Sequence, residues 1–326
     1  MTKAFHSSGD VIADRRAGYA KMLADGGDHA AAADLIGQAL EIVPGWAAGW
    51  DLLGNYAEKA GDISGAISAW RHLEALDDEG VFGAGLKLAA HGASLAADGT
   101  AVSYVEALFD QYAPQFEQAL VTRLGYRVPE MLDELVNEEM ARLGIDGFAK
   151  ALDLGCGTGL MGQHLRAKTA YLEGIDVSAA MIAETARKGI YDSLQKAELV
   201  AALNTRRADA DLITAADVFI YCGALPPVLA ALVPALQPGG LVAFSLEAHD
   251  GPEPLFLRPS LRYAHGIAAT RDALVVAGLE VLRFETATLR QDRGAPITGM
   301  LIVARRPPLE LTAANDEQSD GGDVAA

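Results

Sequence analysis

The chain reads as a doubly wound α/β domain preceded by a small all-helical region, and three observations predict this. Residues 151–160, Ala-Leu-Asp-Leu-Gly-Cys-Gly-Thr-Gly-Leu, run from an apolar strand pattern through alternating glycines into an amphipathic segment. From there to about residue 305, strand-like apolar runs alternate with helical patterns, as a sheet covered by helices requires. The first eighty residues, by contrast, are alanine-rich, helical and nearly free of strand patterns. At 326 residues the chain can bury one full α/β core and a small helical one.

In the helical region a register of 34 aligns Gly27 with Gly61, Ala32 with Ala66, Ile36 with Trp70 and Ala39 with Leu73. Trp50-Asp51-Leu52-Leu53-Gly54 resembles the W-x2-L-G opening of a tetratricopeptide repeat, and Pro44 resembles its closing proline. Two repeats are expected, Ala13–Trp46 and Ala47–Gly80, the first lacking the opening Trp and Gly. Their small residues let paired helices approach, while Trp70 and Leu73 fill between repeats. Stacking normally needs about three repeats, so an apolar helix over Val81–Leu95 is expected to supply a missing face. The following domain or a second subunit would cover the rest. Residues 1–12 read as a flexible start, 13–97 as the repeats, and Asp98-Gly99-Thr100 as the linker.

The second domain spans 101–307. It opens with Leu108-Phe109-Asp110-Gln111-Tyr112-Ala113-Pro114-Gln115-Phe116, followed by a helical run from Gln118 to Leu124. Phe109, Tyr112 and Phe116 fall on one helical face, either ordinary packing or an aromatic cover that excludes water from a site. The strand at 151–154 ends in the glycine turn, where backbone N–H groups at a helix start are open to a ligand. The next strand, Thr169–Asp176, ends in an acid, and Ser178 reads as an N-cap for the helix after it. Lys196–Leu203 reads as a short third strand and Asp211–Phe219 as the fourth strand and its exit. A Pro238-Gly239-Gly240 turn feeds the fifth strand, and Val281–Leu289 and Ile297–Ala304 read as two strands joined by a polar turn.

Gly157, Gly159 and Gly162 also fit GxGxxG, the dinucleotide pattern. A diphosphate is poorly served by the carboxylate of Asp153 at the strand end, whereas a cationic aminoacyl group is not. Asp176 can accept from ribose hydroxyls in either case. The glycine motif, the Asp176 strand, the Leu236-Gln237-Pro238-Gly239-Gly240 turn and the FDxYAxxF segment together resemble class I S-adenosylmethionine (SAM) methyltransferases. With the repeats in front, nearly the whole chain resembles a bacterial group of repeat-containing methyltransferases. That resemblance implies a mostly parallel seven-stranded sheet with its last strand inserted antiparallel, and SAM as cofactor. It assigns cofactor contacts to Asp153, Gly155, Gly157, Gly159, Asp176, Val177, Met181, Glu198, Asp217 and Tyr112. The sequence around Glu198 departs from the family's usual pattern and reads better as a surface glutamate, and Asp217 reads also as a helix N-cap.

Methyl transfer from a sulfonium mainly needs alignment and dryness. A carboxylate or amine acceptor can do without a base; a hydroxyl acceptor usually cannot. The histidines placed to serve are His249 and His265, each readable also as a loop histidine with a structural hydrogen bond. His265 has the stronger case as catalytic base because Arg262 and Tyr263 precede it and could hold an anionic acceptor. Arg258, Arg290 and Arg293 fall in the same acceptor-building region.

A formal charge of −18 argues against a nucleic-acid partner. Residues 308–326 carry five acids and no basic residue and read as a disordered tail. The start has no apolar signal region, and the apolar stretch 228–246 is broken by Pro234, Pro238 and two glycines, so no membrane span is expected. Two cysteines without metal spacing fit a cytoplasmic protein without a metal site. The expected function is methyl transfer to a small polar or anionic metabolite. The alternatives are a protein or peptide acceptor held by the repeats, or a repeat-based interaction protein with a regulatory SAM domain. Protein binding or self-association through the repeats is open in each case.

Overall fold

The computed structural model describes residues 7–94, 101–113, 116–117, 125–292 and 294–309. The first repeat is the helix pair α1 (Val11–Asp25) and α2 (His29–Leu40); the second is α3 (Ala47–Ala60) and α4 (Ile63–Glu74). Aspartates start three of these helices, with Asp10, Asp28 and Asp62 accepting from free N–H groups of the first turn. Helix α1 therefore begins inside the segment expected to be flexible. A Cβ on Gly54 would enter the Trp70 indole, so the missing side chain sets how closely α3 and α4 pack. Trp70 and Leu73 are buried with Ala84 and Leu88 of α5 (Ala84–Ala90), which is shorter than the expected 81–95 helix. The linker at 98–100, Pro114, the run 118–124, Arg293 and the tail from 310 lie outside the described residues.

The second domain runs α6 (Val102–Tyr112), α7 (Val128–Leu143), β1 (Phe148–Leu154), α8 (Leu160–Leu165), β2 (Thr169–Asp176), α9 (Ala179–Ala186), β3 (Ser193–Lys196) and α10 (Leu199–Asn204). It continues with β4 (Ala210–Ala215), α11 (Leu225–Ala235), β5 (Leu236–His249), β6 (Leu255–Leu257), β7 (Tyr263–Gly266), α12 (Ile267–Val276), β8 (Glu280–Asp292) and β9 (Ala295–Arg305). Strands β3-β2-β1-β4-β5 are parallel neighbours, and β9 joins β5 antiparallel and carries β8 outside it. These are the seven strands the sequence predicts. The β6–β7 hairpin is an addition, with β7 pairing only the end of β5, Glu247–His249.

Successive residues of the central strands feed opposite cores, as a period of two dictates. Leu152, Ile213 and Val242 pack under α10–α12, while Ala151, Leu212 and Leu241 pack under α7 and α8. Helix α7, unforeseen in the sequence reading, closes that second face. The third strand is a correction. It ends at Lys196, where pairing with Asp176 ends, and the Leu-Val-Ala-Ala-Leu run expected to extend it is helix α10. Glu198 starts that helix by accepting from the N–H groups of Val200 at 2.9 Å and Ala201 at 2.7 Å. No described helix is long and apolar enough to cross a membrane.

Candidate active site

Strand order reverses at β1, which has β2 on one side and β4 on the other. Beyond the carboxyl ends of these strands lies a crevice, the usual ligand position in open α/β sheets. Here it is a cavity of about 420 Å³. Its floor is the glycine turn, in which Gly155, Gly157 and Gly159 have φ of +59°, +54° and +86°. A Cβ on Gly155 would sit 2.5 Å from Val218, whereas one on Gly157 would meet only the Phe116 ring and the Gly155 carbonyl oxygen, at 3.8 and 3.9 Å. Gly155, Gly157, Asp176, Val177, Glu198, Asp217 and Tyr112 all line the cavity, as do Phe109 and Phe116. Asp153, Gly159 and Met181, expected to touch the cofactor, do not.

Asp153 lies under the turn. Tyr191 donates to its Oδ2 at 2.6 Å and Thr214 to its Oδ1 at 2.8 Å, and burial pushes its pKa up to about 6. A Cβ on Gly162 would collide with the Tyr191 phenol, so the third glycine of the GxGxxG pattern makes room for a side chain. Tyr191 was not foreseen. Asp176 accepts from the N–H of Gly157 and of Ser178, each at 2.8 Å, and is likewise raised to about 6 by burial. Asp176 lines the cavity, and its carboxylate keeps accepting capacity that fits the donating hydroxyls of a ribose. Ser178 caps α9 by accepting from Met181 N–H at 3.1 Å. The acids at Asp176 and Glu198 and the side-chain-free backbone of Gly157 in the cavity wall suit a nucleoside with a cationic end.

Helix α6 roofs this floor. Phe109 meets Phe116 and Tyr221 edge to face, at ring separations of 6.0 and 5.4 Å. Asp110 reaches down to the start of α9, accepting from Ser178 Oγ at 2.6 Å and Ala180 N–H at 3.1 Å. Ion pairs Glu106–Lys196 and Glu117–Lys188 flank that contact.

The opposite wall is a charge network. Glu247, fully buried on β5, pairs with Arg258 and Arg262 at 2.9 Å each and with Arg290. Arg290 also pairs with Asp217, and Arg262 with Asp292. Asp217 has φ +58° and is not a helix N-cap; its carboxylate and its N–H both bond Ser245 Oγ at 2.8 Å. Burial raises its pKa, opposed by Arg290 and Ser245. Burial works against the charge of Arg262, but Tyr221, Glu247 and Asp292 outweigh it and raise its pKa. Arg262, Arg290, Asp217, Asp292 and Tyr221 line the cavity. Glu247 was missed, although an acid inside the apolar run Leu241–Ala248 is a readable signal.

His265 and Tyr263 are corrections. Strand β7 is zipped to the end of β5, which places His265 inside the sheet, 3% exposed. Its Nε2 donates to the Gly223 carbonyl at 2.9 Å, and burial lowers its pKa. Tyr263 packs against Leu86 and Leu257, away from the cavity. His249 stacks on Phe256 and bonds Glu253. Among the described residues, no histidine lines the cavity.

Residues 152–242 match the family described as methyltransferase domain. The chain is 32% identical over 146 residues to a malonyl-[acyl-carrier protein] O-methyltransferase of Enterobacter lignolyticus, covering 45% of this chain and 54% of that protein. It is 30% identical over 177 residues to human methyltransferase-like protein 27, covering 52% and 66%. It is 42% identical over 55 residues to a TPR repeat-containing protein of Pseudomonas aeruginosa, covering 17% and 52%. The chain thus spans about half to two-thirds of the length of the curated relatives it matches. Sequence match, strand order and cavity position agree: the chain carries a class I SAM-dependent methyltransferase domain, preceded by an N-terminal region of tetratricopeptide-type helix pairs.

Proposed function

We propose that the protein transfers the methyl group of SAM to a small anionic metabolite, most simply a carboxylate, held against Arg262. The observation that carries this reading is the continuity of one cavity from Gly157 and Asp176 to Arg262 and Arg290. Bound SAM supplies a methyl group on an already activated sulfonium. The chain's own residues then have three tasks. Asp176 accepts ribose hydroxyls, the glycine turn lets the cofactor approach the backbone, and Glu198 lies near the base position. Phe109, Tyr112 and Phe116 keep water from the reacting atoms. The Arg262 side orients an acceptor oxygen for in-line attack. A carboxylate is already a nucleophile, which fits a cavity with no histidine among its described lining residues.

Calorimetric titration with SAM, S-adenosylhomocysteine (SAH) and NAD tests the cofactor reading; binding of NAD alone would overturn it. Incubation with methyl-labelled SAM and size-fractionated cell extract tests the acceptor. Label in a small acidic metabolite, lost in Arg262→Ala, is the expected result. The runner-up is an acceptor carried on a protein. The printed name of the Enterobacter relative points that way, and so does the exposed apolar side of α1, with Val11, Ile12, Tyr19 and Met22 uncovered. Label appearing only on protein would select it. Two buried cysteine thiols fit the reducing compartment in which we place the protein.

A further inference from the structure

One polar atom on the acceptor side of the cavity is left over. Ser260 lines the cavity, and its Oγ is buried without a hydrogen-bond partner among the described residues. Buried hydroxyls are nearly always satisfied, so a hydroxyl left over in a cavity wall calls for a partner. Ser260 sits in the tight turn of the β6–β7 hairpin. That turn is closed by Leu261 N–H donating to Arg258 O and Arg258 N–H donating to Arg262 O, each at 2.9 Å. Leu261 has φ +59°, a costly conformation for a γ-branched residue, and such strain gathers at binding sites. The turn is not loose, because Leu257, Tyr263 and Leu261 pack the hairpin against Leu86 and Ala89 of α5.

Arg262 emerges from the same turn with its fork already half committed. Its Nε pairs with Glu247, which is fully buried and shared with two other arginines. Its Nη2 pairs with Asp292, whose side chain is 30% exposed and which itself lines the cavity. Of the two carboxylates on Arg262, Glu247 is fixed and Asp292 can leave. A guanidinium fork takes a carboxylate in a planar, bidentate manner, and a carboxylate already occupies it here.

Resting on the methyltransferase reading above, we propose that Ser260 and Arg262 form the seat for the acceptor's carboxylate, and that Asp292 occupies this seat until the acceptor displaces it. Ser260 then donates to one acceptor oxygen and Arg262 Nη2 to the other. Arg262, which can only donate and always carries its charge, is the residue that selects a carboxylate over its amide, and Ser260 adds the second hydrogen bond.

The full-length protein saturated with SAH is titrated calorimetrically with malonate, succinate and benzoate, and with the corresponding amides. At least one carboxylate should bind, with its amide at least tenfold weaker. Ser260→Ala should weaken that carboxylate about tenfold, and Asp292→Asn, by removing the competitor, should tighten it several-fold. SAH affinity should stay within about twofold in both variants, which also reports that each is folded. Amide binding as tight as carboxylate binding, no binding of any of the carboxylates, or an Asp292→Asn variant that binds them no better would each overturn the seat. A wild-type protein that fails to bind SAH would instead sink the parent reading, and titration of the ligand-free protein would still decide the seat.

Discussion

The two ends of the cavity are built in different ways. The cofactor end is local: Gly155, Gly157, Asp176 and Val177 fall within one strand–turn–helix–strand unit and are held largely by backbone hydrogen bonds. The acceptor end draws Asp217, Glu247, Arg262, Arg290 and Asp292 from separate elements and holds them by paired charges. A backbone cradle tolerates loss of one side chain. A charge network in which one buried carboxylate serves three arginines does not. The acceptor end should therefore couple stability to function, and the cofactor end should keep them apart.

The largest effect expected from this difference is at Glu247. Glu247→Gln leaves Arg258, Arg262 and Arg290 without their shared counter-charge, and breaking a buried pair typically costs about 3–5 kcal/mol. Chemical denaturation should show a loss of that size, with methyl transfer abolished. A fully stable, active Glu247→Gln would mean the network is ornament around an independent site. At the cofactor end, Asp176→Ala should weaken SAH binding roughly tenfold to a hundredfold, since a hydrogen bond to a charged group is worth about 1.5–3 kcal/mol. Carboxylate binding to the SAH-saturated variant should be untouched. Coupled loss at both ends would erase the contrast.

Acidity separates the two ends more finely. The pKa of Asp176 is raised by burial from the ordinary 3.8 to about 6, so the folded state holds a proton the unfolded chain has lost. Its contribution to stability is fully present below about 3.8 and is lost as pH rises through about 6. Accepting ribose hydroxyls has the opposite sign, because it needs the ionised form. SAH affinity should be flat near neutrality and fall toward tenfold per unit below about 6. Titrations at several pH values decide this; a pH-independent affinity would show that Asp176 is not the ribose acceptor. Asp153, raised equally, touches no cavity surface, so Asp153→Asn should leave the profile in place.

The same contrast governs how much could be read from sequence. The glycine turn, the Asp176 strand and the two helix pairs follow from short-range patterns and are legible, whereas the antiparallel insertion of the last strand comes only from what the family resemblance implies. Lys196–Leu203 reads as a strand because an apolar run of that length carries no period; what decides it is a capping glutamate two residues past the last sheet pairing. His265 looked catalytic from its neighbours Arg262 and Tyr263, but the pairing of β7 with β5 is a long-range fact and takes its ring out of the cavity. Likewise, nothing local says that Arg258, Arg262 and Arg290 converge on one glutamate, or that Gly162 exists to admit Tyr191.

The smallest effect expected is at the seam between the ends, where Asp110 ties the roof to the start of α9. Its carboxylate takes the hydroxyl of Ser178 and the N–H of Ala180, while Ser178 N–H is held by Asp176. Roof and ribose acceptor thus share one residue between them. Asp110→Asn keeps an accepting oxygen in place but removes its charge from a helix N-terminus, a change worth about 0.3–1 kcal/mol. Opening of the roof should become a few-fold easier, so SAH should dissociate a few-fold faster by stopped flow while its association rate stays constant. Of the flanking pairs, Glu106–Lys196 is exposed and Glu117–Lys188 half-buried, and each should contribute less. If Glu106→Gln speeds release as much as Asp110→Asn does, the roof is held by diffuse charge and not by its contact with α9. The division between a backbone-built cofactor end and a charge-built acceptor end would then not extend to the element that covers both.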